Sequence, residues 1–431
     1  MISNNHPLMR SLIRHNVPHL WCDNVLFWHH MDMSSPPAAS MHAWINKGAR
    51  QVAFTQSSDA GGKNVYDERL KQVSNVKQNR NGFGCQIEPA RKNEFTNGRT
   101  WSGATTRGGV ALATDTQQRP DGSGLATKVT GISGAGVDDI YQGFYNKFTP
   151  SAKIALSWWM KKISASGVMV VATPSMTGVW TLDFAAIGDG WEWINQNHPA
   201  VTVSTPFAGG GVGDNDSGVY WYKSSGPTSL GFYFDLIQLE EGAYPTSPIA
   251  TAGTAVTRTA DAMRLINADV FGRMSEKGSI LWVGELPYKP SEIASDAYLL
   301  GLNDGDVTTD CLSFNVDATG NQIDVEYESS GGNDGAVNGA TLGDVAAGTP
   351  IALCAAWSGN DLRYYANGVS EGQDTSLVPS TALDRLEIGG RISTDGRVGG
   401  KNFVILCFDR ALTERECIRL TQNPEVWKWG A

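Results

Sequence analysis

Three carboxylates, Asp324, Glu326 and Glu328, alternate along a short apolar string and are the residues most suggestive of catalysis. In a strand, alternate side chains share a face at steps of roughly 6.6 Å, near the separation of the paired carboxylates of glycosidases. A polysaccharide depolymerase is one reading of that spacing, and a solvated strand face is the preferred one. His29, His30 and Asp32 offer metal-ligand types, but neighbouring strand residues point to opposite faces, so a surface or interface role is preferred. The run Gly209 to Asp214 lacks the Lys and Ser/Thr ending of a phosphate loop and reads as a turn. Six of the seven histidines lie within the first 42 residues, which leaves no Ser-His-Asp arrangement to propose.

Sugar recognition needs aromatic faces with polar neighbours, because a pyranose offers an apolar C–H face and a rim of hydroxyls. Trp191 and Trp193 lie two apart, with Asn195 nearby, and so are candidates to share one strand face. Trp221 and Tyr222 form a second candidate pair. The competing reading places these rings in the core.

The elements that must position such residues are strands. Only 18% of the 431 residues are charged, and 49 glycines punctuate short apolar runs, the pattern of an all-β chain of two or three domains. A net charge of −10 disfavours broad contact with nucleic acid or anionic membrane. No apolar run reaches the ~18 to 20 residues of a membrane span, and the amino terminus lacks the core of a secretory signal, so synthesis in the cytoplasm is expected. The six scattered cysteines, with no C-x-x-C pair, read as buried small hydrophobes.

Residues 1–85 read as an irregular arm, with helical segments suggested at 7–14 and between 63 and 78. From 86 to 243, eight or so alternating runs suit a jelly-roll sandwich. Residues 244–260, with two prolines, read as an extended linker. A second set of strands fills 261–431, closed by one helix over 411–421 that Thr413 caps and Glu414 and Glu416 favour electrostatically.

Two lines of sequence carry a resemblance. The first is Ile87-Glu88-Pro89-Ala90-Arg91, followed by Asn93; the second holds Gln238, Leu239, Glu240, Gly242, Thr246, Ser247, Thr257, Arg258, Ala260 and Asp261. Together they resemble modular bacteriophage virion proteins, over roughly residues 60 to 429. Lys92-Asn93-Glu94 departs from the family's usual Thr-Asn-Leu. The string Trp357 to Val369 resembles the paired strands of laminin-G-like and concanavalin-like sandwiches.

The resemblance implies two tandem antiparallel β-sandwiches, a carbohydrate-binding-module-like jelly roll followed by a laminin-G/concanavalin-like domain. It implies a non-enzymatic protein of the virion surface, either a tail fibre or adhesin binding host-surface glycans, or a capsid decoration or head-fibre protein. Other virion proteins would be its partners, a homo-oligomer, favoured as a trimer, its assembly, and the arm, with Arg10, Arg14, Trp21 and Trp28, its attachment segment. No cofactor is required; the ion that the resemblance suggests is a structural calcium, held by Glu94 and Asp235.

Overall fold

The computed structural model describes most of residues 89–425 apart from short loop segments, and before them only the backbone of short strands between 25 and 87. Arg10, Arg14, Trp21 and the segment 7–14 lie outside the described residues, as does the side chain of Trp28. The chain is all-β, built of antiparallel sheets, and divides into two compact units.

The unit spanning 90–258 is a sandwich of two sheets. One holds, in spatial order, Ala111–Gln118, Leu125–Ile132, Leu230–Glu241, Ile154–Lys162 and Glu192–Asn195. The other holds Thr105–Thr106, Ile140–Gly143, Gly218–Ser225, Val168–Ala172, Val179–Asp183 and Val201–Thr205. Alternation sends Trp158, Met160, Phe232 and Phe234 of the first sheet and Trp180, Leu182 and Trp221 of the second into one shared core. Trp221 is central to it. Its ring centroid lies 4.6 Å from that of Trp101, 6.3 Å from that of Phe95 and 6.5 Å from that of Trp158, all edge-on, the geometry that aromatic quadrupoles favour.

The stretch expected as a coreless linker belongs to this unit. Tyr244, Thr246, Ile249 and Thr251 are buried, and Val256–Arg258 pairs antiparallel with Arg91–Asn93. Buried polar groups fasten it: the Gln238 amide nitrogen, Nε2, donates to Thr246 O, Gln238 Oε1 accepts from Ile249 N, and Glu240 accepts from the backbone and hydroxyl of Thr246. Asn93 completes the clasp by donating to Ile237 O and Ile249 O. Pro245 and Pro248 keep the chain around them out of regular structure, yet side-chain hydrogen bonds satisfy backbone groups of Thr246 and Ile249 in place of a sheet ladder.

The other unit also contains two large sheets, one of ten strands and one of seven. The helix is Glu414–Thr421, with the expected Thr413 cap closed into a reciprocal box by Glu416. It packs on the Pro350–Ser358 strand, and Cys354 and Cys417 are buried in the core between them. Cys311 and Cys407 are buried as well, whereas the side chains of Cys22 and Cys85 lie outside the described residues. Asn367 and Gly368 turn the chain between Asp361–Ala366 and Val369–Asp374 with φ of 45° and 85°, the left-handed pair that a tight hairpin demands.

The arm differs from its expected irregular form. Val25–His30 pairs with Gly400–Phe408, with Trp28 opposite Leu406, and His42–Ile45 and Arg50–Ala53 continue the same sheet. Thr55–Ser57 pairs with Ala262–Ile266. Between 63 and 78 the described elements are short strands at Val65–Tyr66, Gln72–Val73 and Lys77–Gln78, where a helical segment was expected.

Candidate functional site

The outward face of the five-stranded sheet in the 90–258 unit brings together the residues best suited to bind a ligand. Because Trp158 and Met160 face the core, Trp159 and Lys161 must face away from it, and the same rule turns Tyr233 and Asp235 outward beside Phe232 and Phe234. Register then sets the row. Trp193 lies opposite Trp159, and Trp159 opposite Asp235. The two indoles are tilted against each other with centroids 5.3 Å apart. Trp193 is half-buried, whereas Trp159 is buried.

Ionic groups border this row. Asp235 has no exposure and meets two guanidiniums, Arg99 Nη1 at 3.3 Å and Arg119 Nε at 3.6 Å. Lys161 donates to Gln117 Oε1 at 2.8 Å. Lys128 sits 2.8 Å from Asp115, whose carboxyl falls to about 2 because Lys128 and Thr116 donate hydrogen bonds to it. Tyr233 also donates to Asp115, at 3.4 Å.

The face is a groove. Its edge strands, Ala111–Gln118 and Glu192–Asn195, are separated by three others, so a flat sheet would hold them roughly 19 Å apart. Trp191, next to one edge, nevertheless donates its Nε1–H to Gln118 O at 3.2 Å. Pairing of the 111–118 strand with its neighbour shifts between Thr114 and Gln118, and such an irregularity bends a strand. Gln117 to Arg119 are thereby brought over the face.

One buried donor there, the Nε1 of Trp159, lacks a hydrogen-bond partner among the described residues, while the Nε of Arg119 faces Asp235 as an ion pair at 3.6 Å. A buried N–H without an acceptor costs about 1–3 kcal/mol. A ligand oxygen would recover it.

The residues expected from sequence divide accordingly. Trp191 and Trp193 converge on the groove, but by different routes, since Trp191 precedes the strand and reaches a carbonyl. Asn195 shares the face with Ser157 by register, although its Oδ1 already accepts from Asn197 N at 2.7 Å. Trp221 is a core residue, 1% exposed, and cannot meet a ligand. Tyr222, its neighbour, therefore points outward from the opposite sheet and is not part of the groove.

Of the two residues expected to hold calcium, Asp235 lies against the guanidiniums of Arg99 and Arg119. Glu94 instead pairs with Lys92 at 2.5 Å and lines a separate concavity of about 200 Å³ with Arg91, Lys147, Phe148 and Glu241. Among the described residues no group of three or more His, Cys, Asp or Glu side chains is placed to hold a metal.

Trp159, Arg119, Lys161 and Gln117 were not singled out from sequence. The one available signal was the pair Trp158-Trp159 in a strand, where alternation must turn one ring out.

In the other unit, Asp324, Glu326 and Glu328 do share a strand face, which is covered at Asp324 and partly exposed at Glu326 and Glu328. Asp324 is buried and accepts from Gly339 N; Glu326 accepts from Asn315 Nδ2 at 3.1 Å, and Glu328 pairs with Arg391 at 2.7 Å. Burial raises the pKa of both Asp324 and Glu326. Arg391 also stacks over Tyr298, 4.5 Å from its centroid.

The sequence matches no protein-family model and no curated protein. Among solved structures it is similar to domain 4 of AbnA, a GH43 extracellular arabinanase from Geobacillus stearothermophilus, in complex with arabinotriose. That match has 16% identity, covers 38% of this chain and 73% of the other, and has a TM-score of 0.31. The CBM40 of the Ruminococcus gnavus IT-sialidase, bound to α2,6 sialyllactose, matches at 14% identity over 35% of this chain and 85% of its own, with a TM-score of 0.29. A SAP-like pentraxin from Limulus polyphemus matches at 14% identity over 33% and 68%, with a TM-score of 0.28.

Proposed function

We propose that this chain is a glycan-binding protein whose binding face is the groove around Trp193 and Trp159. The observation that carries the reading is the contact, on one outward sheet face, between the half-buried Trp193 indole and the buried Trp159, whose Nε1–H has no hydrogen-bond partner among the described residues. An indole accepts the C–H face of a sugar ring, and fixed donors then select its oxygens. Binding of oligosaccharides to the purified full-length chain, by glycan array and calorimetry, tests the reading. Trp193→Ala should weaken binding about tenfold or more, as loss of a central tryptophan anchor does; binding unchanged in that variant would remove the groove from the account.

The resemblance of the lines around Pro89 and Gln238 places this binding, in our reading, on a bacteriophage virion: a tail fibre or adhesin touching host-surface glycans, with a capsid decoration or head-fibre protein as the alternative. Oligomerisation, with a trimer favoured, would multiply weak individual contacts. Antibody labelling of intact particles in electron microscopy separates head from tail, and absence from particles would exclude both.

A second reading, a polysaccharide depolymerase, is favoured by one observation. Glu326 is pushed toward its protonated form by burial while Glu328, two residues on, is ion-paired with Arg391, a contrast of the kind a general acid and its ionised partner require. Release of reducing ends from capsular polysaccharide, abolished by Glu326→Gln, would establish it. No release by the wild-type chain would dismiss it.

A further inference from the structure

Resting on the glycan-binding reading, we infer that residues 115–119 form a strap across the Trp159–Trp193 face, and that a glycan reaches the two indoles only when this strap lifts. The first argument is where the segment is fastened. Asp115 accepts from Tyr233 at 3.4 Å, Gln117 accepts from Lys161 at 2.8 Å, Gln118 O accepts from Trp191 Nε1–H at 3.2 Å, and Arg119 pairs with Asp235 at 3.6 Å. In the sheet, however, the 111–118 strand is at the edge, beside Leu125–Ile132. Lys161 belongs to a strand three places further along the order, roughly 14 Å away in a flat sheet. A contact to that strand, and to Trp191 beyond it, requires the segment to leave the plane of the sheet and lie over its outward face.

The second argument is register. Ala111 to Thr114 pair in step with Thr130 to Thr127, and pairing resumes with Gln118 opposite Leu125. Three residues, 115–117, therefore stand against the single residue Ala126. The excess length arches the strand. Beyond the arch the tip closes on itself, with Arg119 N donating to Gly124 O at 2.8 Å, so 115–117 are the hinge about which this hairpin tip moves.

The third argument is burial. Trp159 is turned away from the core, yet only 2% of it is exposed. An outward indole so enclosed has a cover. Trp193 supplies part of it. The strap is tied down on either side, to Lys161 two residues along the same strand and to Asp235 opposite Trp159 on the next. None of residues 115–119 is itself buried. Lifting them breaks polar contacts at the surface without drawing any strap side chain out of a core, the profile of a segment that opens locally. A site covered in this way binds with an affinity reduced in proportion to the fraction of molecules that are open.

The test uses the full-length chain with cellohexaose, xylohexaose and mannohexaose and any oligosaccharide retained on the glycan array. Gln117→Ala removes the acceptor that ties the strap to Lys161. Association, followed by stopped-flow tryptophan fluorescence, should then speed up and apparent affinity tighten by about threefold to tenfold, with dissociation unchanged. Gln117→Glu replaces the same tie by an ion pair and should slow association. Opposite shifts from one partly exposed position are what a gate predicts and a passive surface residue does not. Equal association rates in the three proteins, or weaker binding by Gln117→Ala, would overturn the gate while leaving the glycan-binding reading intact. Binding of no oligosaccharide by either the wild-type chain or Gln117→Ala would overturn both.

Discussion

At the scale of single residues, adjacent aromatics have opposite roles. Trp221→Ala opens a cavity among Trp101, Trp158 and Phe95 and should destabilise the unit by about 3–5 kcal/mol, read as a fall in the urea midpoint with little change in slope. Trp193→Ala removes a half-buried ring and should be felt in binding first; a stability loss as large as that of Trp221→Ala would contradict its placement. Glu416 gives a pH signature. Burial raises its carboxyl, but hydrogen bonds from Arg410 and Thr413 outweigh this and hold it at about 2, below an ordinary value of 4.5. A depressed carboxylate stabilises the fold above its unfolded pKa, and that contribution is lost as pH falls from about 4.5 toward 2. Glu416→Gln should therefore flatten this part of the acid-unfolding curve, and an unaltered curve would assign acid sensitivity elsewhere. Trp221 and Trp193 were equal candidates in sequence because alternation says that two residues lie on opposite faces without saying which face is covered.

At the scale of elements, the segment after Glu241 is the clearest departure. Composition suggested a tether, but its hydrogen bonds run to Gln238, Glu240 and Asn93, the last about 150 residues away in sequence. Thr246→Val removes a hydroxyl that donates to buried Glu240 at 2.5 Å and should cost about 1–3 kcal/mol, with faster proteolysis of the 244–251 stretch; wild-type protease resistance would show that the clasp is dispensable. The 414–421 helix, by contrast, was legible in its Thr413 cap and its last residue, since a capping box is local chemistry, though it starts three residues later than expected. The Val25–His30 strand was not, because its partner, Gly400–Phe408, lies more than 300 residues further on.

At the scale of the molecule, the division into units yields two expectations. A fragment of residues 90–258 contains both sheets and the shared core of its unit, so it should fold alone and melt cooperatively; a fragment lacking fixed near-ultraviolet circular dichroism would contradict that boundary. Deleting residues 1–57 removes the backbone pairing to Gly400–Phe408 and Ala262–Ile266 and should lower the melting temperature of the other unit, whereas an unshifted transition would make those strands accessory. The sequence by itself determined the all-β class, the tight turns, the capped helix and the candidate role of Trp191 and Trp193, because alternation, glycine placement and capping act over a few residues. Only the tertiary structure decided that Trp221 is core, that Trp159 faces out, that the apparent linker is clasped, and that Trp193, Trp159 and Asp235 stand in register across one sheet face. Those facts depend on strand order and on the bending of an edge strand over the sheet, which no local pattern encodes.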